Sequence, residues 1–483
     1  MQSSAVGRIA GIVSDSSRRP IVDATISVVG TRFIAISDAQ GRFVIAVVPV
    51  GSYALRVQRI GRRATRVSDL QVRAGETSTA DITMSAAAVQ LGGVVVSASR
   101  QAERLTDAPA SVTRIDASDI ANTFGNSFVP SLRDVEGIDY NQIGVTSATI
   151  NARGFNSSAN NRVLMMEDGR VDVLVASGLP VGGQTTIPKV DLAGIEVVLG
   201  PGSALYGPDA TNGVLTLQTK DPREYQGTTF EVSGGNHAFR DFQLRHAGVS
   251  TNGRVGYKVS GEYLSTNDFQ NQLRYANDID ERGIGGAVDW ATDVARGEGG
   301  LVYYRGAQRY EVNAGASQSN GVAQTITGRD QLVNAQYRHA QFKWSAPRWY
   351  ASVYATQSMS GKSFAIDRFS TVRAATPATI RDDSIARLSD FPSVGRLYAA
   401  DVQHSVDLPR LRRTHVIVGA QLRRDEVNSR REWLTDRLTS ENVALYQGGL
   451  YAQSETPLSP EWRLVAAARI DKGTAYRTTA SPK

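Results

Sequence analysis

The sequence contains no cysteine, so no disulfide supports any part of the fold. That suits a protein of the bacterial envelope, but many cytosolic proteins also lack cysteine, and the compartment stays open on this point. Long apolar runs are missing too. No stretch approaches the roughly 18 consecutive apolar residues of a transmembrane helix, which excludes a helical membrane protein. A β-barrel is not excluded, because its lipid-facing residues come only at every second position. The chain opens with MQSSAVGRIAG, which lacks a charged segment followed by an apolar core and is not a secretory leader. The leader is therefore expected to be absent from this sequence, or the protein to be cytosolic. Lysine is scarce, and the formal charge of +6 is carried almost wholly by arginine. These arginines are dispersed, which points to a solvated surface and not to a nucleic-acid patch.

What the chain has in quantity is glycine (45 residues), with abundant Ser, Thr, Val and Ala. That composition favours strands and turns. At about 150 residues per domain, 483 residues suggest roughly three folding units. Residues 1–86 read as a small all-β domain: GRIAGIVSD, ATISVVG, RFIAISD, GRFVIAVV, SYALRVQRI and STADITMS are short β-branched runs divided by turn residues. Asp38-Ala39-Gln40-Gly41 is a hairpin turn in which Asp caps locally and Gly takes positive φ. The order G-x-I-x-G-x-V-x-D, S-D-A-Q-G-R-F and P-V-G-S-Y-A-L resembles the carboxypeptidase regulatory-like domain. That resemblance implies a transthyretin-like β-sandwich. A metallocarboxypeptidase would need a His-x-x-Glu zinc pair, yet no histidine precedes His237 and none of the five is followed by Glu at that spacing. The domain reads as a binding or spacer module.

Residues 87–103 form a linker carrying the short strand Val94-Val95-Val96-Ser97-Ala98. On its own this is an edge strand or tether, or a segment that adds to a partner's sheet. Residues 104–221 read as a mixed α/β unit. It has a strand at Ala108–Ile115, a short helix near Asp119-Ile120 and a second helix from Ser127 to Val135. Further strands follow at Ile138–Tyr140, Thr149–Phe155, Arg162–Gly169, Ile195–Gly200 and Gly213–Lys220. Gly200-Pro201-Gly202-Ser203-Ala204-Leu205-Tyr206-Gly207 could be a phosphate loop. No Lys-Ser or Lys-Thr follows, however, and Pro201 and Pro208 remove backbone donors that such a cradle needs. Glycines there allow close packing, and Tyr206 is an anchor with a polar tip.

The order A-R-G-F, then an Asp-Gly strand end, then the run from Ile195 to Lys220, is similar to the plug of TonB-dependent receptors over more than a hundred residues. The resemblance implies that Val94, Val95, Val96, Ser97 and Ala98 form a TonB box. It also implies that Arg153 and Glu196 belong to a charged latch facing a barrel wall. Gly154, Gly200, Pro201, Tyr206 and Gly207 would then belong to the plug's packing motif.

From 222 to 483 the pattern alternates every second residue, as in Val255, Tyr257, Val259 against Lys258, Ser260, Glu262. Short turns (Ser250–Gly253, Gly306–Gln308, Ser345–Arg348, Pro457–Pro460) alternate with long polar stretches at 266–294, 359–394 and 425–441. This is an outer-membrane barrel pattern. About eleven strands are readable where the resemblance implies 22. The expected fold is mainly β: a transthyretin-like sandwich, an α/β plug, and the first half of a 22-stranded antiparallel outer-membrane barrel cut short at its C-terminus.

The resemblance further implies energy-coupled uptake of a scarce solute across the outer membrane, with the N-terminal domain in the periplasm. No catalysis, cofactor, metal or nucleic acid is expected. The expected partners are TonB, outer-membrane lipid and an external solute: a siderophore, cobalamin, a glycan or a peptide. Loops 141–161 and 176–188 are the candidate solute contacts. The alternatives are a non-transporting surface or signalling receptor on the same scaffold, and a secreted soluble β protein.

Overall fold

A computed structural model describes residues 6–15, 19–29, 31, 33–59, 62–84, 94–95, 103–104, 111–125, 127–153, 162–200, 202, 206–207, 209–269, 288–325, 328–411, 414–436, 439–459 and 462–482. The chain divides into two compact units, Met1–Gly93 and Val94–Lys483.

The first unit is a two-sheet sandwich. Its strands are β1 (Val6–Asp15), β2 (Thr25–Val28), β3 (Ile34–Ile36), β4 (Arg42–Pro49), β5 (Gly51–Arg59), β6 (Arg62–Val72), β7 (Thr77–Thr79) and β8 (Ile82–Met84). One sheet sets β4, β7 and β8 around β1, and the other runs β3-β2-β5-β6. Two-residue alternation decides what faces inward: Phe43 and Ile45 are buried while Arg42 and Val44 are exposed. Ile9, Val13, Ile26, Leu55, Val57 and Met84 complete the core. The Asp38 turn forms as its sequence suggests. Asp38 Oδ1 accepts the Gln40 and Arg42 N–H groups at 2.9 and 2.8 Å, and Gly41 takes φ 75°.

The second unit opens with β9 (Val94–Val95), paired antiparallel with β10 (Glu103–Arg104). Then comes the α/β portion: β11 (Ser111–Asp116), a helix at Ala117–Asn122, β12 (Ile138–Gln142), β13 (Ala148–Ala152), β14 (Val163–Glu167), β15 (Arg170–Val171), β16 (Val173–Leu174), β17 (Leu179–Pro180), β18 (Leu192–Leu199) and β19 (Gly213–Thr219). Its main sheet runs β11-β18-β19-β14-β15, with β14 parallel to β19. Both faces of this sheet are covered. Ile115, Phe128, Leu132, Met165, Ile195, Val197, Leu215 and Leu217 fill one side, and Leu164, Met166, Val198 and Val214 the other. That explains why β14 and β18 read as nearly continuous apolar runs without alternation. The helix expected over 127–135 contracts to one 3-10 turn, Val129–Leu132. Pro130 has no N–H and fits only an opening turn, and Gly137 at φ 79° ends the segment.

Around this portion stands one antiparallel sheet. It comprises β20 (Gly227–Gly234), β21 (Arg240–Val249), β22 (Val255–Asn267), β23 (Ala291–Arg305), β24 (Gln308–Thr325), β25 (Gly328–Ala346), β26 (Trp349–Met359), β28 (Val394–Leu408), β29 (Thr414–Asn428), β30 (Val443–Pro457), β31 (Arg463–Gly473) and β32 (Thr479–Pro482), with β27 (Phe364–Ala365) beside β25. The path holds twelve strands, one more than the sequence pattern suggests. Among the described residues β20 and β32 do not pair with each other, so the sheet is open. Its polarity is inverted relative to a soluble protein. In β22, Val255, Tyr257, Val259 and Tyr263 are exposed, whereas Lys258, Ser260 and Glu262 are buried.

The stretch 359–394, read from sequence as a long polar connection, contains a folded element. Helices Ile366–Ala375 and Asp382–Leu388 bury Ile366, Phe369 and Ile385 against Phe364, Val288 and Val322. The sparse Ile366, Phe369 and Ile385 were the signal; surrounding charge and alanine diluted it.

Candidate functional site

The α/β portion is held to the inner face of the sheet by buried polar groups, and each contact follows from where a strand ends. The 3-10 turn Lys189–Asp191 precedes β18 and places Asp191, fully buried, at the wall. Its carboxylate receives Arg245 from β21 and Lys258 Nζ from β22, the latter at 2.8 Å. Beside it the Val190 N–H donates to Gln243 Oε1 at 3.0 Å. Alternation along β21 and β22 turns Gln243, Arg245 and Lys258 inward.

One step further along the wall, Thr186 Oγ1 lies 3.4 Å from Glu298 Oε2 and 3.2 Å from His339 Nδ1. Arg296 donates to the Thr185 carbonyl at 3.3 Å. Thr185 in turn donates to Glu167, which pairs with Arg170 at 2.5 Å; both charged groups are fully buried. Burial, and then the neighbouring Asp172 carboxylate, push Glu167 well above the usual carboxylate range. Burial also raises Asp172, against the pull of Arg170.

The β14–β15 turn carries a contrasting carboxylate. Asp168 and Gly169 take φ 47° and 85°. Asp168 accepts the Thr219 N–H at 3.0 Å and its hydroxyl at 2.6 Å. Burial alone would raise Asp168, but Lys343 and Lys258 on the wall, together with Thr219, hold it well below its ordinary value. Gln341 donates to its carbonyl at 3.3 Å, and the Val171 N–H donates to the Tyr354 hydroxyl at 3.1 Å. Farther round, Asp209 pairs with Arg423 at 2.8 Å and Asp221 with Arg309 at 3.2 Å. The pattern has a sign: the inner portion supplies carboxylates and the wall supplies cations at Asp191, Asp209 and Asp221, while Lys189 with Glu231 at 3.9 Å runs the other way.

Among the cavities between the portions, two adjoin the loops expected to contact solute. One, about 180 Å³, lies between residues 143–150 and 179–184 on one side and Thr292, Val294 and residues 319–322 on the other. The second, about 590 Å³, lies between Tyr140, Gln142 and residues 145–148 and the β20–β21 turn. The first touches described parts of both loops expected to contact solute, and the second only the 141–161 loop.

Residues 8–85 match the carboxypeptidase regulatory-like domain, and residues 104–214 match the TonB-dependent receptor plug domain. The vitamin B12 transporter BtuB of Vibrio vulnificus (strain CMCP6) is 28% identical over 274 residues, covering 52% of this chain and 44% of that protein. Among solved structures, the siderophore receptor PirA from Pseudomonas aeruginosa superposes with a TM-score of 0.52 at 18% identity, over 78% of this chain and 60% of that one. A variant of the ferric enterobactin receptor from the same organism gives 0.58 at 17% identity, over 81% and 60%.

Residues 104–214 carry the plug domain of TonB-dependent receptors, and the chain is similar to such receptors beyond it.

The α/β portion is its plug, and the open sheet is part of its barrel wall. The chain spans less than half the length of the B12 transporter and about three-fifths of those solved receptors. In this chain the residues expected at the latch are not brought together. Glu196 is fully buried within the plug sheet, where it accepts from Arg114 at 2.9 Å and Gln218 at 2.8 Å. Arg153, with φ 59°, is exposed and lies over Gly200. The reason is register: Glu196 stands opposite Arg114 on β11 and Thr216 on β19, so its described partners lie inside the plug. The wall contacts that hold the plug come instead from Asp191, Thr186, Asp209 and Asp221. Their signal was faint: inward charges on alternating strands, such as Lys258, announce buried partners without naming them.

Tyr206 does bridge plug and wall, packing on the Val198–Val214 cluster and on Ile417 and Tyr451. Gly200 and Gly207 adopt φ 113° and 96°, where a side chain is strained. A Cβ on Gly207 would sit 3.5 Å from the Arg469 guanidinium. Gly154 and Pro201 lie outside the described residues, as do Val96, Ser97 and Ala98. Val94 and Val95 form β9.

Proposed function

We propose that this receptor captures a scarce external solute and moves it across the bacterial outer membrane, drawing on energy delivered by TonB at the segment around Val94–Val95. The observation that carries this reading is a plug held by separable polar contacts to a wall whose apolar face points outward. Such a plug seals the barrel at rest, yet a pulling force can part its ion pairs one at a time, because water replaces each broken partner. The N-terminal sandwich would lie on the periplasmic side. The solute is of the class handled by its relatives, cobalamin or an iron-siderophore, and it would contact the described parts of loops 141–161 and 176–188. The β9–β10 pairing involves two residues per strand among the described residues, and so short a ladder yields easily to a competing partner strand.

The test is Val95→Pro in the protein as expressed in cells. Proline removes an N–H and fixes φ, which blocks strand addition. Energised uptake of the bound solute is expected to fall to background while surface binding stays intact. Undiminished uptake would refute the TonB-box assignment.

A further inference from the structure

The short-turn end of the sheet carries two features that the uptake reading does not use. The first is an aromatic ribbon on the outer face, crossing five successive strands of the sheet. Tyr303, Tyr310, Trp344, Trp349 and His404 follow one another, with ring centroids 6.1, 6.5, 6.5 and 4.2 Å apart. The second is a row of exposed arginines at the turns just beyond it: Arg254, Arg305, Arg348 and Arg410. Each stands beside an exposed apolar or aromatic side chain, namely Val255, Tyr303, Trp349 and Leu411.

The guanidinium groups of Arg254, Arg305 and Arg410 make no ion pair or hydrogen bond among the described residues. Arg348 lies near Asp407, which is itself paired with His415 at 2.8 Å. At the opposite boundary of the apolar band Arg240 and Lys472 are exposed as well, but three other cations are engaged. Arg338 donates to Gln336 at 2.6 Å, Arg424 lies 5.1 Å over the Tyr446 ring and pairs with Glu426, and Arg396 stands 4.0 Å from Glu426.

We propose that the turn-end arginines form a collar that binds the phosphate groups of anionic glycerophospholipids in the membrane leaflet at that end. The proposal rests on the outer-membrane reading given above. The aromatic ribbon fixes the depth, because amphipathic rings settle at the headgroup level. The arginines then reach the phosphate plane, where a forked donor pairs with two oxygens. With no protein carboxylate to satisfy three of them, the anion must come from outside the chain.

The experiment uses the full chain, reconstituted in vesicles of phosphatidylcholine alone or with phosphatidylglycerol at a 4:1 ratio, then extracted in mild non-ionic detergent. Retained lipids are counted by native mass spectrometry. A surface cation is worth about a fivefold preference for anionic lipid, so phosphatidylglycerol should be enriched at least ~5-fold over the bulk ratio. Enrichment should fall to the bulk ratio in the variant R254Q/R305Q/R348Q/R410Q and persist in R338Q/R396Q/R424Q. Should the first variant fail to fold, the unaltered chain still decides the matter: its enrichment should vanish when reconstituted at about 0.5 M salt, where screening shortens to a few Å. Enrichment absent in the unaltered chain, insensitive to salt, or lost equally in both variants overturns the collar. A chain that does not enter neutral phosphatidylcholine vesicles at all overturns the membrane reading beneath it.

Discussion

Asp191→Asn is the sharpest perturbation of the plug. The change keeps shape and removes one charge from a site where Asp191 is fully buried and both cationic partners are nearly so. Arg245 keeps carbonyl acceptors at Tyr225 and Lys220, at 2.7 and 3.4 Å. Lys258 keeps Glu298, at 3.9 Å, and Asp168 as charged neighbours. Removing one member of a buried pair costs about 3–5 kcal/mol, because the remaining charge stays desolvated. Since Arg245 retains acceptors, the lower end applies, and about 3 kcal/mol corresponds to a roughly 150-fold rise in local opening. The assay is amide hydrogen exchange followed by mass spectrometry on the chain in detergent, read on peptides covering 186–199 and 243–260. Their protection should fall by about that factor, while 463–473 is unchanged. Adding Lys258→Met removes the stranded cation and should restore part of the loss, a coupling of about 1–3 kcal/mol. Protection unchanged within about threefold in Asp191→Asn would refute the view that this contact holds the plug to β21 and β22.

Three further outcomes are expected. Asp168 has its folded value depressed below the ordinary 3.8, so its contribution is present above that pH and lost as pH falls through the folded value. Glu167 is raised above 4.5, so its contribution is full below that pH and lost as pH rises through the folded value. Thermal melts from pH 1.5 to 8 should therefore show that Asp168→Asn removes acid-side sensitivity and Glu167→Gln removes a decline on the neutral side; parallel shifts at all pH values would contradict this. Leu450→Lys puts a charge on the outer face, where Leu450 is 66% exposed, and should cost about 2–4 kcal/mol in a bilayer but almost nothing if that face met water. Urea unfolding from vesicles distinguishes the two. Ile26→Ala empties a fully buried site of the sandwich and should lower that unit's stability by about 2–5 kcal/mol, speeding exchange in β2 and β5 but not in β11–β19.

How much of this was legible in the sequence depended on whether a signal was local. The Asp38–Gly41 turn, the alternation of β22 and the Ile195–Lys220 run each lie within one stretch, and periodicity or turn chemistry reads them directly. The inner and outer faces of the wall were readable as well, since one lysine or glutamate among alternating valines and tyrosines fixes which side is which. The plug's attachment was not. Asp191 and Lys258 are 67 positions apart, and Thr186 and His339 are 153 apart. Nothing in either neighbourhood says which inward charge meets which turn. Glu196 illustrates the opposite error. Its place in a recognisable run suggested a wall contact, but β18 is the second strand of a sheet covered on both sides, so Arg114 and Gln218 reach it from its neighbours. A charge in the middle of a buried sheet is met by adjacent strands, whereas a charge in the turn before a strand projects past the sheet's edge. By that rule Asp191, Asp209 and Asp221, all outside regular strands, were the better candidates for the wall, and their ion pairs with Arg245, Arg423 and Arg309 follow the same logic.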